Sequence, residues 1–320
     1  MTWKNALKKI PYERLGPYVA LIILFVVSSF ASPYFLQTRN ILNILRQVSY
    51  TGIIGLGMTF VIISGGIDLS VGSMTAFVGG IVIMTLNQFG GGADAILVAI
   101  VVGILLGMGC GAVNGLIITK GKVAPFIVTL GSMAIFRSLT LYISNAGEFR
   151  STSRLFPQVG MGFFWGIPIP VWIFFGMAAV FSVVLNHTRY GRYVRAVGSN
   201  TRVAAYSAIK VNWIKFMTYV IVGMTVAVSA ILLSSRLNSI SSTNAGLNYE
   251  LDAIAAVIIG GTAMTGGTGS VWGTVVGAII LGIINNMLNM MGVSPYLQGT
   301  VKGLVIMGAV LVQRKRSSSV

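Results

Sequence analysis

The chain has 320 residues, of which 55% are hydrophobic and only 9% charged, with 22 Lys and Arg against six Asp and Glu. Soluble domains carry about 25% charged residues, so this composition excludes a water-soluble globular protein. The formal net charge of +16 has two sources to weigh, a nucleic-acid surface or basic cytoplasmic loops. The basic residues alternate with apolar runs instead of forming one face, which favours the loops and leaves no nucleic-acid partner.

Apolar runs of the ~20 residues needed to cross a bilayer recur along the chain. None shows the alternation of a barrel, so the spans are predicted as helices that satisfy their own backbone. The fold class is all-α, a polytopic membrane protein with about ten transmembrane helices. The spans fall near 15–34, 46–65, 67–89, 93–119, 123–145, 168–187, 213–236, 250–265, 271–291 and 295–312. The first follows a basic N-terminal segment and resembles a secretory signal, but its apolar run continues through Pro33 and Leu36, so it reads as a retained helix.

The run VIISGGIDLSVGS, 61–73, places Asp68 among apolar and small residues at the inner end of the third span. A lone carboxylate in hydrocarbon costs several kcal/mol or more. Ser64, Asp68, Ser70 and Ser73 either line a polar route or hold a broken-helix turn, in which Gly65-Gly66 end one helix and Asp68 or Ser70 caps the next. The fourth span carries Gly103-x3-Gly107 and Gly111-x3-Gly115, and the ninth Gly273-x3-Gly277, spacings that let helix backbones approach closely. Cys110 and His187 are each the only residue of their type, which removes disulfides and a His-cluster metal site.

Two loops interrupt the spans, an outer one at 146–168 with aromatic and Pro residues and an inner one at 188–213. The inner loop has a turn signal at Gly198-Ser199-Asn200, then a stretch, 201–209, that forms a short helix capped by Asn200 or Ser199. Such a helix, exposing Tyr206 and basic residues, docks on a partner or simply anchors the topology. Glu250 and Asp252 start the eighth span on its outer side, where negative charge suits a helix N-terminus. The third and eighth spans contain helix breakers, Asp68 and the Gly-rich stretch 260–270, where the chain either bends or re-enters the membrane instead of crossing it straight. VIISGGIDLSVGSMTAFVGGIV (61–82) and VIIGGTAMTGGTGSVWGTVVGAII (257–280) echo one another, as internal repeats do in transporters.

With the N-terminus inside, fifteen Lys and Arg fall in inner segments and five in outer ones, so both termini are predicted cytoplasmic. Arg137 and Lys302 lie within spans. No loop is large enough for a soluble domain, so residues 1–320 form one transmembrane domain. There is no Walker A sequence, Gly-x-Ser-x-Gly elbow or HExxH. The chain is therefore no enzyme, holds no catalytic, cofactor or metal residues, and any ATPase is a separate chain.

Five stretches carry a resemblance: LNILRQVS (42–49), GMTFVIISGGIDLSVGS (57–73), KGKVAPFIVTLGSM (120–133), HTRYGRYVRAVGSN (187–200) and YELDAIAAVIIGGTAMTGGTGS (249–270). Together they resemble the permease subunits of bacterial ABC importers for monosaccharides, ribose-type branch. The resemblance implies a multi-pass inner-membrane subunit that pairs with a like permease, as homodimer or heterodimer. Two cytoplasmic ABC ATPase domains bind the ATP, and a periplasmic or lipid-anchored sugar-binding protein delivers ribose or a similar sugar. It also implies that the loop from Thr188 to about Val211 is the coupling segment, with Gly191, Arg192, Ala196, Gly198 and Asn200 at its motif positions. The chain departs from that pattern at Thr201, where an acidic residue is usual, at Ala208, where Gly is usual, and in SSTNAG (241–246), where a Pro is frequent. The alternative is a stand-alone secondary transporter with Asp68 as its ion-carrying group.

Overall fold

The computed structural model describes residues 15–294, 297–305 and 307–308. The first helix, α1 (Gly16–Ala31), starts on Pro17 and stops where Ser32 turns extended ahead of Pro33. It is followed by α2 (Thr38–Ile63), α3 (Val71–Gln88), α4 (Ala93–Lys120) and α5 (Pro125–Ile143). Asp94 in the first turn of α4 and Lys120 in its last oppose the helix dipole favourably. Beyond a connecting segment come α7 (Ile169–His187), α8 (Arg189–Ser199), α9 (Thr201–Tyr206), α10 (Val211–Leu237), α11 (Tyr249–Ile259) and α12 (Val271–Met290).

Seven of these helices, α2, α3, α4, α5, α7, α10 and α12, are long and apolar enough to cross a membrane. The eighth span departs from its expected bounds. Instead of a span over 250–265, α11 has eleven residues, roughly 16 Å of helix and half a bilayer. It ends at Gly260, and the loop 260–270 turns the chain back. The first helix has 16 residues, not the 20 expected. Of the tenth, 297–305 are helical, while 295–296, 306 and 309–312 lie outside the described residues, as do the basic segments at both chain ends.

Helices α2 and α10 form the centre and are buried over most of their length, whereas α4, α5 and α7 bury about a third or less. The outer helices turn Leu97, Leu105, Ile127, Ile135 and Val180 outward, an arrangement suited to lipid and not to water. The closest packing joins α4 to α10. A Cβ on Gly107 would meet the Gly223 carbonyl, and one on Gly111 the Tyr219 carbonyl, so the glycine spacing in α4 does what that spacing does in lipid.

The expected loop 146–168 is stitched into the bundle at one side and free at the other. Strand β1 (Glu148–Arg150) pairs antiparallel with β4 (Ser239–Ser241), Phe149 opposite Ile240. Ser153 Oγ donates to the Gly91 carbonyl at 2.6 Å. After a short α6 (Pro157–Met161), strands β2 (Phe163–Phe164) and β3 (Ile167–Pro168) form a hairpin. Its two turn residues, Trp165 and Gly166, both have positive φ, as the tightest hairpin turn requires.

The sequence echo has a structural counterpart. Helices α2 and α3 flank one break, 64–70, and α11 and α12 flank another, 260–270. The two breaks touch: Gly267 N–H donates to the Ile63 carbonyl at 2.9 Å, and the hydroxyls of Thr59 and Thr274 share a hydrogen bond of 2.7 Å.

Candidate functional site

The first break begins as a left-handed helix stop. Gly65 has φ 80°, Gly66 N–H returns to the Val61 carbonyl, and Gly65 N–H to that of Ile62, both at 2.9 Å. Asp68 then closes a turn, its Oδ1 accepting from Ser70 N–H at 2.9 Å and Ser70 Oγ at 2.6 Å. Neither residue caps α3 in the expected way, since no side chain accepts from the first amides of that helix. The network continues across helices. Asn114 Nδ2 of α4 donates to Ser70 Oγ at 3.0 Å, and Ser132 Oγ of α5 donates to Asn114 Oδ1 at 2.5 Å. Tyr219 of α10 donates to the Ile67 carbonyl at 3.2 Å.

Ser64, Asp68, Ser70 and Ser73 are all buried, Asp68 completely. Ser64 Oγ bonds the Val61 carbonyl and Ser73 Oγ the Ser70 carbonyl. Among the described residues Asp68 Oδ2 has no hydrogen-bond partner. Ser70, through Asn114 and Ser132, ties α3, α4 and α5 around the turn, and the four residues present no open polar surface. Beside the turn lies a cavity of about 300 Å³ lined by Gly65, Gly66, Phe126, Ile254 and Met264 among others.

Over this break lies the helix pair α8–α9, at the end of the bundle that also carries Lys120 and Lys122, here called the basic end. Thr188 Oγ1 accepts from Gly191 N–H at 3.2 Å and starts α8. Gly191 packs on the Leu185 carbonyl. Arg195 clamps the end of α7, donating to the Leu185 carbonyl at 3.1 Å and to Asn186 Oδ1 at 2.7 Å. Tyr190 stacks on Phe60 of α2, with ring centroids 6.3 Å apart. The turn expected at 198–200 is corrected: Gly198 and Ser199 continue α8, and only Asn200 leaves the helix. Asn200 Oδ1 accepts from Arg202 and Val203 N–H and starts α9.

Gly198 is where this pair meets both breaks. A Cβ there would fall on the Ile63 carbonyl and crowd Gly267 N, the two atoms that already bond each other. No side chain intervenes between α8 and the joint. On the other side the pair exposes Arg192, Tyr193, Val203 and Tyr206, the last at 90%, with Ala196 half-buried. The site residues thus fall into two groups. The loop residues and the 64–73 turn come together at Gly198; Glu250 and Asp252 sit elsewhere.

The Ala208 departure has a physical cost. Ala208 has φ 58°, and Ile209 N–H reaches back to the Ala204 carbonyl at 3.1 Å, the helix-ending motif that favours Gly. Ala208→Gly is expected to stabilise the α9 stop by about 1 kcal/mol, seen as a higher thermal midpoint in detergent.

Glu250 and Asp252 do not stand at the mouth of a full span. Their helix begins inside the bundle, where Gly246 O and Glu250 Oε2 pack on Gly72 so closely that a Cβ on Gly72 would overlap both. Arg137 of α5 donates to the Ser242 carbonyl at 2.7 Å and the Ala245 carbonyl at 2.9 Å. Lys302 pairs with Asp252 at 2.9 Å. Sequence reasoning left Arg137 and Lys302 without a role, although being basic inside spans was itself the signal. Asn114 and Ser132 were missed as well, and each is a polar residue within an apolar run.

Seven apolar helices long enough to cross a bilayer, packed around two jointed breaks, define a multi-pass membrane protein. The family described as branched-chain amino acid transport system, permease component, matches residues 40–310, and the chain belongs to it. Among its relatives, the ribose import permease protein of Bacillus subtilis (strain 168) is 45% identical over 308 residues, 96% of this chain and 94% of that one. The ribose import permease protein of Escherichia coli (strain K12) is 43% identical over 305 residues, 93% and 92% of the two chains. The L-arabinose transport system permease protein of the same strain is 31% identical over 308 residues, 96% and 92%. No solved structure matches the chain.

Proposed function

We propose that this chain is the membrane-spanning subunit of an ABC importer that takes up ribose or a similar monosaccharide across the bacterial inner membrane. Residues 1–320 act as one permease domain of about ten helices, with the basic end and both termini cytoplasmic. The chain binds no cofactor and performs no catalysis. A like permease completes the path, two cytoplasmic ATPase domains bind ATP, and a sugar-binding protein delivers the solute outside.

The observation that carries this reading is the contact of Gly198 with Ile63 and Gly267. In it, α8–α9 is the coupling segment. Tyr206, Val203 and Arg192 face the ATPase, Gly191 seats the pair on α7, and Asn200 fixes the angle between its helices. When the ATPases close, they push on α8, and the push passes without a side-chain cushion into the ends of both broken helix pairs. Ligand-coupled rocking of repeats around a central path is how transporters alternate access.

The ion-coupled alternative makes Asp68 the ion carrier. Asp68 works in the turn through Oδ1, which an asparagine retains, so Asp68→Asn is expected to keep most ATP-driven uptake. The test reconstitutes the chain alone, then with its ATPase and binding protein, and follows labelled ribose. Uptake by the chain alone, driven by a proton gradient and lost in Asp68→Asn, would overturn the importer reading.

A further inference from the structure

The mechanism above leaves unused the segment between β4 and α11, which enters from the outer side. Phe149 and Ile240 lie against Gly80 and Gly79 of α3, and Gly246 against Gly72. Gly72 is 16 residues before Gln88, where α3 ends at the outer loop through the bond from Asn87 to the Arg150 carbonyl. That places Gly246 roughly 24 Å below the outer end of the helix. From the other side, α11 runs roughly 16 Å from Tyr249 before its following loop meets α8. The two lengths agree that residues 243–249 sit near the middle of the bilayer.

At that depth the segment is neither regular nor covered. Thr243, Asn244, Leu247 and Asn248 are exposed, and among the described residues neither the Asn244 nor the Asn248 side-chain amide has a hydrogen-bond partner. Irregular backbone and free amides do not face hydrocarbon; at membrane depth they are tolerated where they border protein or water. The segment is also held there deliberately, by Arg137 on the carbonyls of Ser242 and Ala245. One turn and a half further along α11, Ile254 forms part of the wall of the cavity beside Gly65-Gly66. The same helix therefore borders polar groups at mid-depth and an open space toward the cytoplasm.

We infer that residues 243–248 line the solute route at mid-membrane, with Asn244 and Asn248 as contacts for an uncharged polyhydroxyl solute and Arg137 as the positioning residue for the segment. Amides suit such a solute because each both donates and accepts while adding no charge. This inference rests on the importer reading for the identity of the solute.

The chain offers a clean test, because Cys110 is its only cysteine and is buried. In a Cys110→Ala background, Asn244→Cys and Asn248→Cys are placed singly, and the full complex is set in lipid nanodiscs that leave both faces accessible. A water-soluble, sulfonated methanethiosulfonate reagent is expected to modify both positions, and modified Asn248→Cys complexes in proteoliposomes are expected to lose ribose uptake. Two results overturn the inference: modification by membrane-permeant N-ethylmaleimide alone, which marks a lipid-facing segment, or an oxidant-induced disulfide between two copies without sulfonate labelling, which marks a subunit contact. Labelling needs neither ATP nor sugar. A labelled complex whose unmodified Cys110→Ala parent imports nothing therefore sinks the importer reading and leaves the water-lined segment standing.

Discussion

Gly198→Ala is expected to abolish uptake while the chain still inserts and the ATPases still hydrolyse ATP. Gly198 lies inside α8, where alanine is the better helix former by about 1 kcal/mol. Local helix energetics therefore favour the substitution, and any loss must come from the contact. There the new methyl meets the Ile63 carbonyl and Gly267 N, main-chain atoms of a helix end and of a tight loop that cannot rotate out of the way. Overpacking of this kind costs about 1–3 kcal/mol, and the relief available is for α8 to lift off the joint. Hydrolysis and uptake measured on the same proteoliposomes separate the outcomes. Uptake at the parent level would remove Gly198 from the coupling path.

The second large effect is expected at Arg137. Arg137→Met keeps the length of the side chain but strips both donors from the carbonyls of buried Ser242 and nearly buried Ala245. Each orphaned acceptor costs about 1–3 kcal/mol, and Glu250 loses the positive charge that attracts it. The segment 242–248 then keeps only its contacts with Gly147 and Gly72 to hold it at depth. The expected result is a lower thermal midpoint together with loss of uptake, and a partial return of both in Arg137→Lys, which restores the charge and one donor without the fork. A variant that lost stability but imported normally would show that Arg137 supports only the fold.

Much of the transverse architecture was legible from hydropathy. The spans expected at 93–119, 123–145, 168–187, 213–236 and 271–291 differ from α4, α5, α7, α10 and α12 by no more than two residues at either end. Those helices either face lipid or run the full depth, so their composition is set by the bilayer. The second span was read as starting at 46, whereas α2 starts at Thr38. Its first turns carry Arg39, Asn40, Asn43 and Arg46, which look like loop. In the fold Asn40 exchanges hydrogen bonds with Asn286, Arg46 lies 5.0 Å over the Phe163 ring, and Arg39 and Asn43 stay exposed.

The failure at 250–265 has a different cause. Ala253 to Ile258 are buried against protein, so an apolar run there reports packing and not bilayer thickness, and a half-length helix looks like a span. At the site, the glycines of α8 and the Asp68 turn were visible as unusual residues in their runs. Their meeting at Ile63 was not, because it is made by backbone atoms far apart in the chain, which leave no mark on side-chain pattern.

That same property separates two kinds of inheritance. The joint among Ile63, Gly198 and Gly267 is built from main chain, so only the loss of a glycine can spoil it, and neighbouring side chains are free to drift. The surface presented by Arg192, Val203 and Tyr206 is built wholly from side chains, and each substitution there alters the fit to whatever it meets. On the importer reading, partner choice can evolve while force transmission stays constant, so related permeases should exchange ATPases by trading α8–α9 surface residues alone.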